Sequence, residues 1–362
     1  MLWTLFTIVN RESMIKGIQL HAWAGGPSMV EVAEVAARTF ETIWVTDQMQ
    51  SRGVGAVLGA IAARTGAGVG TAVTFPFGRN PLEQASTMAT LAEFMPAGRQ
   101  VSMGIGTGGG LVSALMERQQ PVGRVAELIR FCRALWRGES VRMGDYPLTC
   151  ADLGLRAEGR ASLDWVDDPA VRVIVAGTGP KILEMTGELA DGVICASNFP
   201  SHSLAAFRSG QFDAVSNLDR LDAGRERSDR PELTRIYGVN VSVSADRDRA
   251  NAAARRQAAL IVSQQPHESL QRVGFEQSDY AATREAVHTG RGIAAAAELL
   301  PQHVADQLVI SGTPGDCIAS LAELLEYARE AGFTEAYVGA PVGPDPAEAV
   351  DLLTTEVLPE LI

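Results

Sequence analysis

The chain has 362 residues, 46% hydrophobic and 20% charged, which is the composition of a globular protein rather than a disordered one. Its 31 lysines and arginines against 43 aspartates and glutamates give a net charge of −12. This charge disfavours binding to phosphate backbones or anionic lipid, so we expect no nucleic-acid partner and no membrane association. The four cysteines are scattered without metal-ligand spacing, which predicts no metal site and favours a cytoplasmic location.

Residues 1–13 contain a short apolar run without the basic region and cleavage site of a signal peptide. The run is also too short to span a bilayer. We interpret residues 1–13 as a flexible N-terminal extension and expect the folded domain to begin at Met14.

From Met14 onward, short apolar strands alternate with segments of helical periodicity. The predicted strands cover residues 15–22, 42–47, 67–74, 99–106, 171–177, 191–197, 234–244 and 334–340. The predicted helices cover residues 29–40, 54–65, 81–95, 124–136, 181–190, 247–263, 315–332 and 345–361. Mostly apolar strands between helices are typical of a parallel sheet that is covered on both faces.

Eight such strands predict an α/β fold, namely a (β/α)8 TIM barrel with insertions. We expect residues 14–362 to form a single domain, with insertions near 140–168 and 264–313. The arginines of the helix at 247–263 are interpreted as a solvated helix face.

Glycines cluster at the end of the predicted strand 99–106. Gly104, Gly106 and Gly109 match the G-x-G-x-x-G spacing of dinucleotide-binding domains. That fingerprint belongs in the first βα unit, whereas here three strand–helix units precede it. The cluster is therefore either a strand-end turn or a bare backbone that a flat or anionic ligand can approach closely.

A second cluster, Ala176 to Gly179, ends a predicted strand and leads into a helix at Pro180. The unpaired N–H groups at a helix N-terminus suit a phosphate. A tight turn without a ligand is the alternative interpretation.

Two titratable residues also lie at predicted strand ends. Asp47 is either a solvated loop acid or a carboxylate at the mouth of the barrel. His21 is either structural or, because it alternates with Gly17 and Gln19, directed into the barrel with a catalytic or substrate-binding role.

Five segments carry a family resemblance. They are WVTDQ (44–48), GTAVTFPFGRNP (70–81), ATLAEFMPAGRQVSMGIGTGG (89–109), AGTGPKILEMTGELADGVICAS (176–197) and SGTPGDCIASLAELLEYAREAGFTEAYVGAPVGPDPAEA (311–349). In order and spacing they resemble the bacterial luciferase-like family, particularly its coenzyme-F420-dependent branch. The resemblance implies a (β/α)8 barrel that binds a deazaflavin or flavin at the C-terminal mouth, beside a non-prolyl cis peptide at Ala72–Val73.

The resemblance also implies most of the site residues, whereas His21, Gln48 and Gly109 are added from their positions beside predicted strand ends. Asp47, His21 and Gln48 are the candidate catalytic residues. The candidate cofactor-binding residues are Asp47, Ala72, Val73, Thr74, Gly106, Thr107, Gly108, Gly109, Ala176, Gly177, Thr178, Gly179 and Ser197.

Three positions depart from the pattern of relatives in this branch. Gln48 and Gly109 stand where the sugar-phosphate dehydrogenases have a histidine and a glutamate, so we do not expect sugar-phosphate oxidation by their mechanism. Gln19 stands where the pterin reductases of this branch have a glutamate, so their pterin substrate does not carry over directly. His21 could supply a proton in its place.

These observations predict an oxidoreductase that transfers a hydride between F420 and a small organic substrate. The enzymatic alternative is an FMN-dependent monooxygenase that uses reduced flavin and O2. A nicotinamide dehydrogenase with an open Rossmann sheet and a cofactor-independent barrel are the other classes considered. We expect a homodimer, with a separate reductase or dehydrogenase regenerating the cofactor.

Overall fold

The computed structural model describes residues 13–21, 28–109, 112, 115–150, 153–196 and 214–361. The predicted extension lies outside the described residues except for Ser13. Ser13 is buried, and its hydroxyl oxygen accepts a hydrogen bond from the backbone N–H of Ile15 at 3.2 Å. The packed structure therefore includes the residue before the predicted boundary at Met14.

The predicted barrel is confirmed. Its strands are β1 (Ile15–Leu20), β2 (Thr42–Val45), β3 (Gly68–Thr71), β4 (Val101–Gly106), β5 (Val171–Ala176), β6 (Gly192–Ala196), β7 (Thr234–Val243) and β8 (Glu335–Val342). Neighbouring strands pair in parallel in chain order, and Gly17 of β1 pairs with Tyr337 of β8 to close the barrel. Closure excludes the open sheet that a Rossmann dehydrogenase requires.

Helices flank the strands and build the insertions. They are α1 (Ser28–Ala36), α2 (Val54–Thr65), α3 (Pro81–Glu93), α4 (Pro121–Trp136), α5 (Pro147–Cys150), α6 (Pro180–Leu189), α7 (Ala214–Glu226), α8 (Arg247–Gln264), α9 (His267–Gln271), α10 (Gln277–His288), α11 (Ile293–Glu298), α12 (Gln302–Leu308), α13 (Pro314–Glu330) and α14 (Pro346–Leu352). None of the helices in the described segments is long and apolar enough to cross a membrane.

The closing helix is shorter than predicted. The α-helical geometry ends at Leu352 and is followed by a π turn at Leu353–Val357 and a 3-10 turn at Leu358–Leu361. Pro359 lacks a backbone N–H and the β-branched Thr354 and Thr355 are stiff, so the regular hydrogen-bond pattern is not continued.

The longer insertion packs against α8 through its own apolar cluster, which includes Ala258, Val262, Phe275, Tyr280 and Val304. The side chain of Asp246 caps the first turn of α8 by accepting hydrogen bonds from two backbone N–H groups. The apolar cluster, together with this cap, holds α8 in place against helices α9 to α12. The prediction of a single domain spanning 14–362 stays a prediction.

A layer of large side chains fills the barrel interior. Trp44, Ile174, Ile194, Ile236 and Tyr337 are all buried there. The rings of Trp44 and Tyr337 lie 6.2 Å apart, centroid to centroid. Such layers are the normal core of a TIM barrel, so the barrel is packed and chemistry is confined to its mouth.

Glycines inside the barrel make room for this layer. A Cβ at Gly70 would lie 2.6 Å from the Trp44 ring, and one at Gly238 would lie 2.5 Å from the Tyr337 hydroxyl. A Cβ at Gly104 would lie 1.8 Å from the carbonyl oxygen of Thr71. Some of the glycines in and near the strand ends are therefore required by core packing and not by a ligand.

Candidate active site at the mouth of the barrel

Asp47 lies just after β2, in the wall of the mouth, and its side chain is 1% exposed. Its Oδ2 accepts a hydrogen bond from the Thr74 hydroxyl at 2.7 Å. Its Oδ1 accepts one from the guanidinium of Arg79, which also stacks over the Phe75 ring at 5.1 Å from the centroid. The structure thus brings together two of the predicted residues, Asp47 and Thr74.

Burial raises the pKa of Asp47 above its ordinary value, and the charge of Arg79 and the hydrogen bond from Thr74 partly oppose this effect. The carboxyl group is held by two donors within the wall. Arg79 was not among the predicted site residues. The available signal was its position five residues after Thr74, within the segment that carries the resemblance.

The segment after β3 contains the implied cis peptide, Ala72–Val73. Two backbone hydrogen bonds join this segment to β4, from the Thr74 N–H to the Gly104 carbonyl at 2.8 Å and from the Gly106 N–H to the Thr74 carbonyl at 2.9 Å. On the other side, the buried Gln19 amide donates to the carbonyl oxygen of Ala72 at 3.0 Å. Strands β1 and β4 therefore fix this segment from both sides.

The glycine-rich segment after β4 combines different roles. Gly106 is buried, and a Cβ there would lie 3.1 Å from Cγ2 of Val73. Gly108 has a φ of +67°, a conformation that favours glycine, and its carbonyl accepts a hydrogen bond from Arg118. Thr107 is half-buried, whereas Gly109 is exposed and has open space where a Cβ would stand. Gly109 thus leaves open backbone at the mouth.

The turn after β5 leads directly into α6. Ala176 and Thr178 are half-buried and Gly177 is buried, where a Cβ would lie 2.6 Å from Ile182. Gly179 is the N-cap residue, and the described residues supply no side-chain cap to α6. Pro180 has no backbone N–H, so the N–H groups of Lys181 and Ile182 are the ones in the first turn available to an anion.

His21 and Gln48 border the same mouth. Burial lowers the pKa of His21 to about 4, so its imidazole is neutral at pH 7. Its Nδ1 lies 3.5 Å from the Thr46 hydroxyl. The Oε1 atom of Gln48 is buried and has no hydrogen-bond partner among the described residues, which is the environment expected of an atom that meets a ligand or water. The predicted residue Ser197 lies outside the described residues.

The predicted cofactor residues within the described segments occupy one continuous arc, at the ends of β2, β3, β4 and β5. A cavity of about 830 Å³ lies on the other side, where β1 and β8 end, and it is lined in part by Gln19 and His21. Within the described ranges no three His, Cys, Asp or Glu side chains are grouped so that they could hold a metal ion.

Sequence comparison relates the chain to named enzymes. It is 28% identical to a 5,10-methylenetetrahydromethanopterin reductase of Archaeoglobus fulgidus over 335 residues, which cover 89% of this chain and 92% of the relative. It is 24% identical to an F420-dependent glucose-6-phosphate dehydrogenase of Mycobacterium avium over 309 residues, covering 81% of this chain and 78% of the relative.

A solved structure shares the fold. The coenzyme F420 dependent tetrahydromethanopterin reductase of Methanopyrus kandleri superposes with a TM-score of 0.77 at 23% identity, covering 97% of this chain and 100% of that one. The sequence profile described as luciferase-like monooxygenase matches residues 16–335. The match spans most of the barrel and confirms the predicted resemblance. The chain belongs to the luciferase-like monooxygenase family.

Proposed function

We propose that this protein is an oxidoreductase that uses coenzyme F420 to transfer a hydride to or from a small organic substrate. Two of the similar proteins described above, the dehydrogenase and the solved reductase, are named as F420-dependent. The observation within this chain that carries the proposal is the continuous arc of small and polar residues at the ends of β2 to β5.

The residues of this arc fit such a cofactor. Val73 and Ala176 are half-buried and pack on the apolar layer inside the barrel, so they offer an apolar support to a flat ring. The exposed backbone at Gly109 allows close approach. The uncapped N-terminus of α6, after Gly179, suits the phosphate of the tail. When bound, F420 supplies the hydride donor or acceptor.

The side chains around the arc have separate tasks in this proposal. Asp47 is a positioning residue, because its carboxyl group holds Thr74 and Arg79 rather than projecting freely into the mouth. Gln48 offers to a donor on the bound cofactor its Oε1, which no group in the described segments satisfies. His21, neutral at pH 7, orients a substrate hydroxyl or carbonyl by a hydrogen bond.

The predictions of location, oligomeric state and partners belong to the same proposal. The protein would act in the cytoplasm as a homodimer on a small-molecule substrate, with a separate reductase or dehydrogenase regenerating the cofactor. An FMN-dependent monooxygenase is the competing enzyme, and it differs in requiring FMN and O2.

Titration of the purified apoprotein with each cofactor tests the proposal. We expect F420 to bind with a Kd at or below the micromolar range and FMN to bind about a hundredfold or more weakly, a difference of about 2.7 kcal/mol. Turnover is then tested by mixing the protein and reduced F420 with a panel of carbonyl and activated alkene compounds. The absorbance of the deazaflavin reports the reaction. Tight binding of FMN without binding of F420 would overturn the proposal in favour of the monooxygenase.

A further inference from the structure

We propose that the substrate is an organic anion with an apolar body, and that Arg256, assisted by Arg249, binds its anionic group in the cavity beside β1 and β8. The inference rests on the proposed function, because it places the substrate next to the predicted ring site. It starts from the lining of the cavity of about 830 Å³.

Helix α8 presents one continuous face to this cavity. The lining residues from α8 recur at helical spacing, and they are Arg249, Ala252, Ala253, Arg256, Gln257 and Leu260. Residues on the opposite side of α8, such as Ala258 and Val262, pack into the apolar cluster of the insertion. Arg249 and Arg256 are exposed, as expected of a solvated helix face, and they also lie on the cavity lining.

The remainder of the lining is mainly apolar. Leu20 at the end of β1, Met29 and Val32 of α1 and Ile293 of α11 contribute to it. A cavity of this size and character accommodates a small organic molecule and stabilises its hydrocarbon part by removing it from water.

The charge of the lining favours an anion. Among the described residues, none forms an ion pair with Arg256, whose side chain is exposed. Arg249 approaches Glu348 at 3.6 Å, but its side chain is 54% exposed, so this pair is weak and screened. Asp345 is the acid among the described lining residues, and its Oδ1 already accepts hydrogen bonds from two backbone N–H groups of α14.

The guanidinium of Arg256 has no carboxylate partner among the described residues, so it can bind an anionic ligand without first breaking an ion pair there. The planar guanidinium of arginine can donate two parallel hydrogen bonds to a carboxylate, phosphate or sulfonate group. Two arginines separated by seven residues lie two helical turns, or about 10 Å, apart on the same face of α8. Arg249 and Arg256 therefore form a cationic rim above an apolar cavity.

The geometry of the barrel separates this rim from the predicted position of the cofactor tail. The predicted phosphate site follows β5, and β1 and β5 lie opposite each other in the eight-stranded barrel. Gln19 and His21 connect the two sides, since both line the cavity and Gln19 also bonds the carbonyl of Ala72. The cavity thus fits the substrate better than the equally anionic tail of F420.

Binding of two fluorescent probes tests the inference. Anilinonaphthalene sulfonate is an anion with an apolar body, and phenylnaphthylamine is its neutral counterpart. In the F420-saturated protein, we expect Arg256→Gln to raise the Kd of the sulfonate about tenfold and to change the Kd of the neutral probe less than about twofold. Arg272→Gln is the matched control, because Arg272 is an exposed arginine of the insertion outside the cavity lining. It should alter neither Kd.

A second variant locates the probes. Ala253→Phe places an aromatic ring in the cavity, and it should weaken binding of both probes. Unchanged binding of the sulfonate in Arg256→Gln overturns the inference, and so does an equal loss in Arg256→Gln and Arg272→Gln. In the first case, if Ala253→Phe weakens both probes, they occupy the cavity without help from Arg256; if it weakens neither, the cavity does not bind an apolar anion.

The affinity for F420 distinguishes substrate from cofactor. Arg256→Gln should leave the Kd of F420 unchanged within about twofold. If Arg256→Gln instead raises the Kd of F420 by the factor expected for the sulfonate, Arg256 binds the cofactor tail and the inference is wrong. If F420 does not bind to the wild-type protein at all, the proposed function fails, and the same probe comparisons in the cofactor-free protein still decide whether Arg256 binds an anion.

Discussion

Thr74 donates its hydroxyl hydrogen to Oδ2 of Asp47 across 2.7 Å, and this bond joins the chain after β3 to the end of β2. Arg79 binds the other carboxylate oxygen. A buried carboxyl group at the mouth is thereby held by one neutral and one charged donor. Because the donors have different chemistry, they can be removed separately.

Removing the Thr74 hydroxyl should destabilise the protein, because the buried carboxylate of Asp47 then loses a hydrogen-bond donor. Thr74→Val keeps the side-chain shape but leaves the buried Asp47 with one hydrogen bond fewer, so we expect the free energy of unfolding to fall by about 2 kcal/mol. The loss should shrink by about 1 kcal/mol when Asp47→Asn is already present, since the charged acceptor is then gone. Urea denaturation of the four proteins measures this coupling. Equal losses in both backgrounds would show that the charge of the acceptor adds nothing to the bond, since the amide oxygen of asparagine can accept it as well.

Removing the charged donor should introduce a dependence on pH. In Arg79→Met, the pKa of Asp47 rises further because burial is no longer opposed by the guanidinium. The variant should be less stable than the wild type by about 2 kcal/mol where Asp47 is ionised. The deficit should decrease as the pH falls and the carboxyl group becomes neutral.

Unfolding at several pH values between about 5 and 8 tests this dependence. Arg38→Met, at an exposed position of the turn after α1, is the matched control and should follow the wild type. A deficit of Arg79→Met that is independent of pH would mean that the arginine acts through packing on Phe75 alone.

The fold and the arc of the site could be predicted from the sequence because both depend on local patterns. Apolar strands alternating with helices specify the barrel, and the carboxyl ends of parallel strands share one edge. Asp47, Thr74 and Gly106 therefore had to converge once the strands were placed.

Other features depend on contacts between segments that are distant in the sequence. Gly70 opens one of the segments that carry the family resemblance, but its small size is required by the ring of Trp44 in the neighbouring strand. Arg256 is exposed, as the sequence indicates, but its place on the cavity lining depends on the packing of the insertion on α8. No periodicity within a single segment carries this information.

His21 should make stability depend on pH in the acidic range. Its pKa is about 4 in the folded protein and about 6.5 when unfolded, so the unfolded chain takes up the proton first as the pH falls. Stability contributed by the neutral imidazole is fully present above about pH 6.5 and is lost progressively down to about pH 4, by up to about 3 kcal/mol.

Comparison with His21→Gln isolates this contribution from all other titrating groups. The difference in unfolding free energy between the variant and the wild type should shift in favour of the variant between pH 6.5 and pH 4. A difference that stays constant across this range would show that His21 titrates normally in the folded protein.

A substitution at Gly109 should affect cofactor binding without affecting the stability of the fold. Gly109 is exposed, and a Cβ there would meet no described residue within 4 Å, so Gly109→Leu should leave the free energy of unfolding within about 0.5 kcal/mol of the wild type. If F420 approaches the backbone here, the added side chain should raise its Kd at least about tenfold. Gly315→Leu, at an equally open position in the first turn of α13, is the matched control and should change neither quantity appreciably. Wild-type affinity in Gly109→Leu would instead assign Gly109 to an ordinary turn and move the cofactor contact toward Val73 and Ala176.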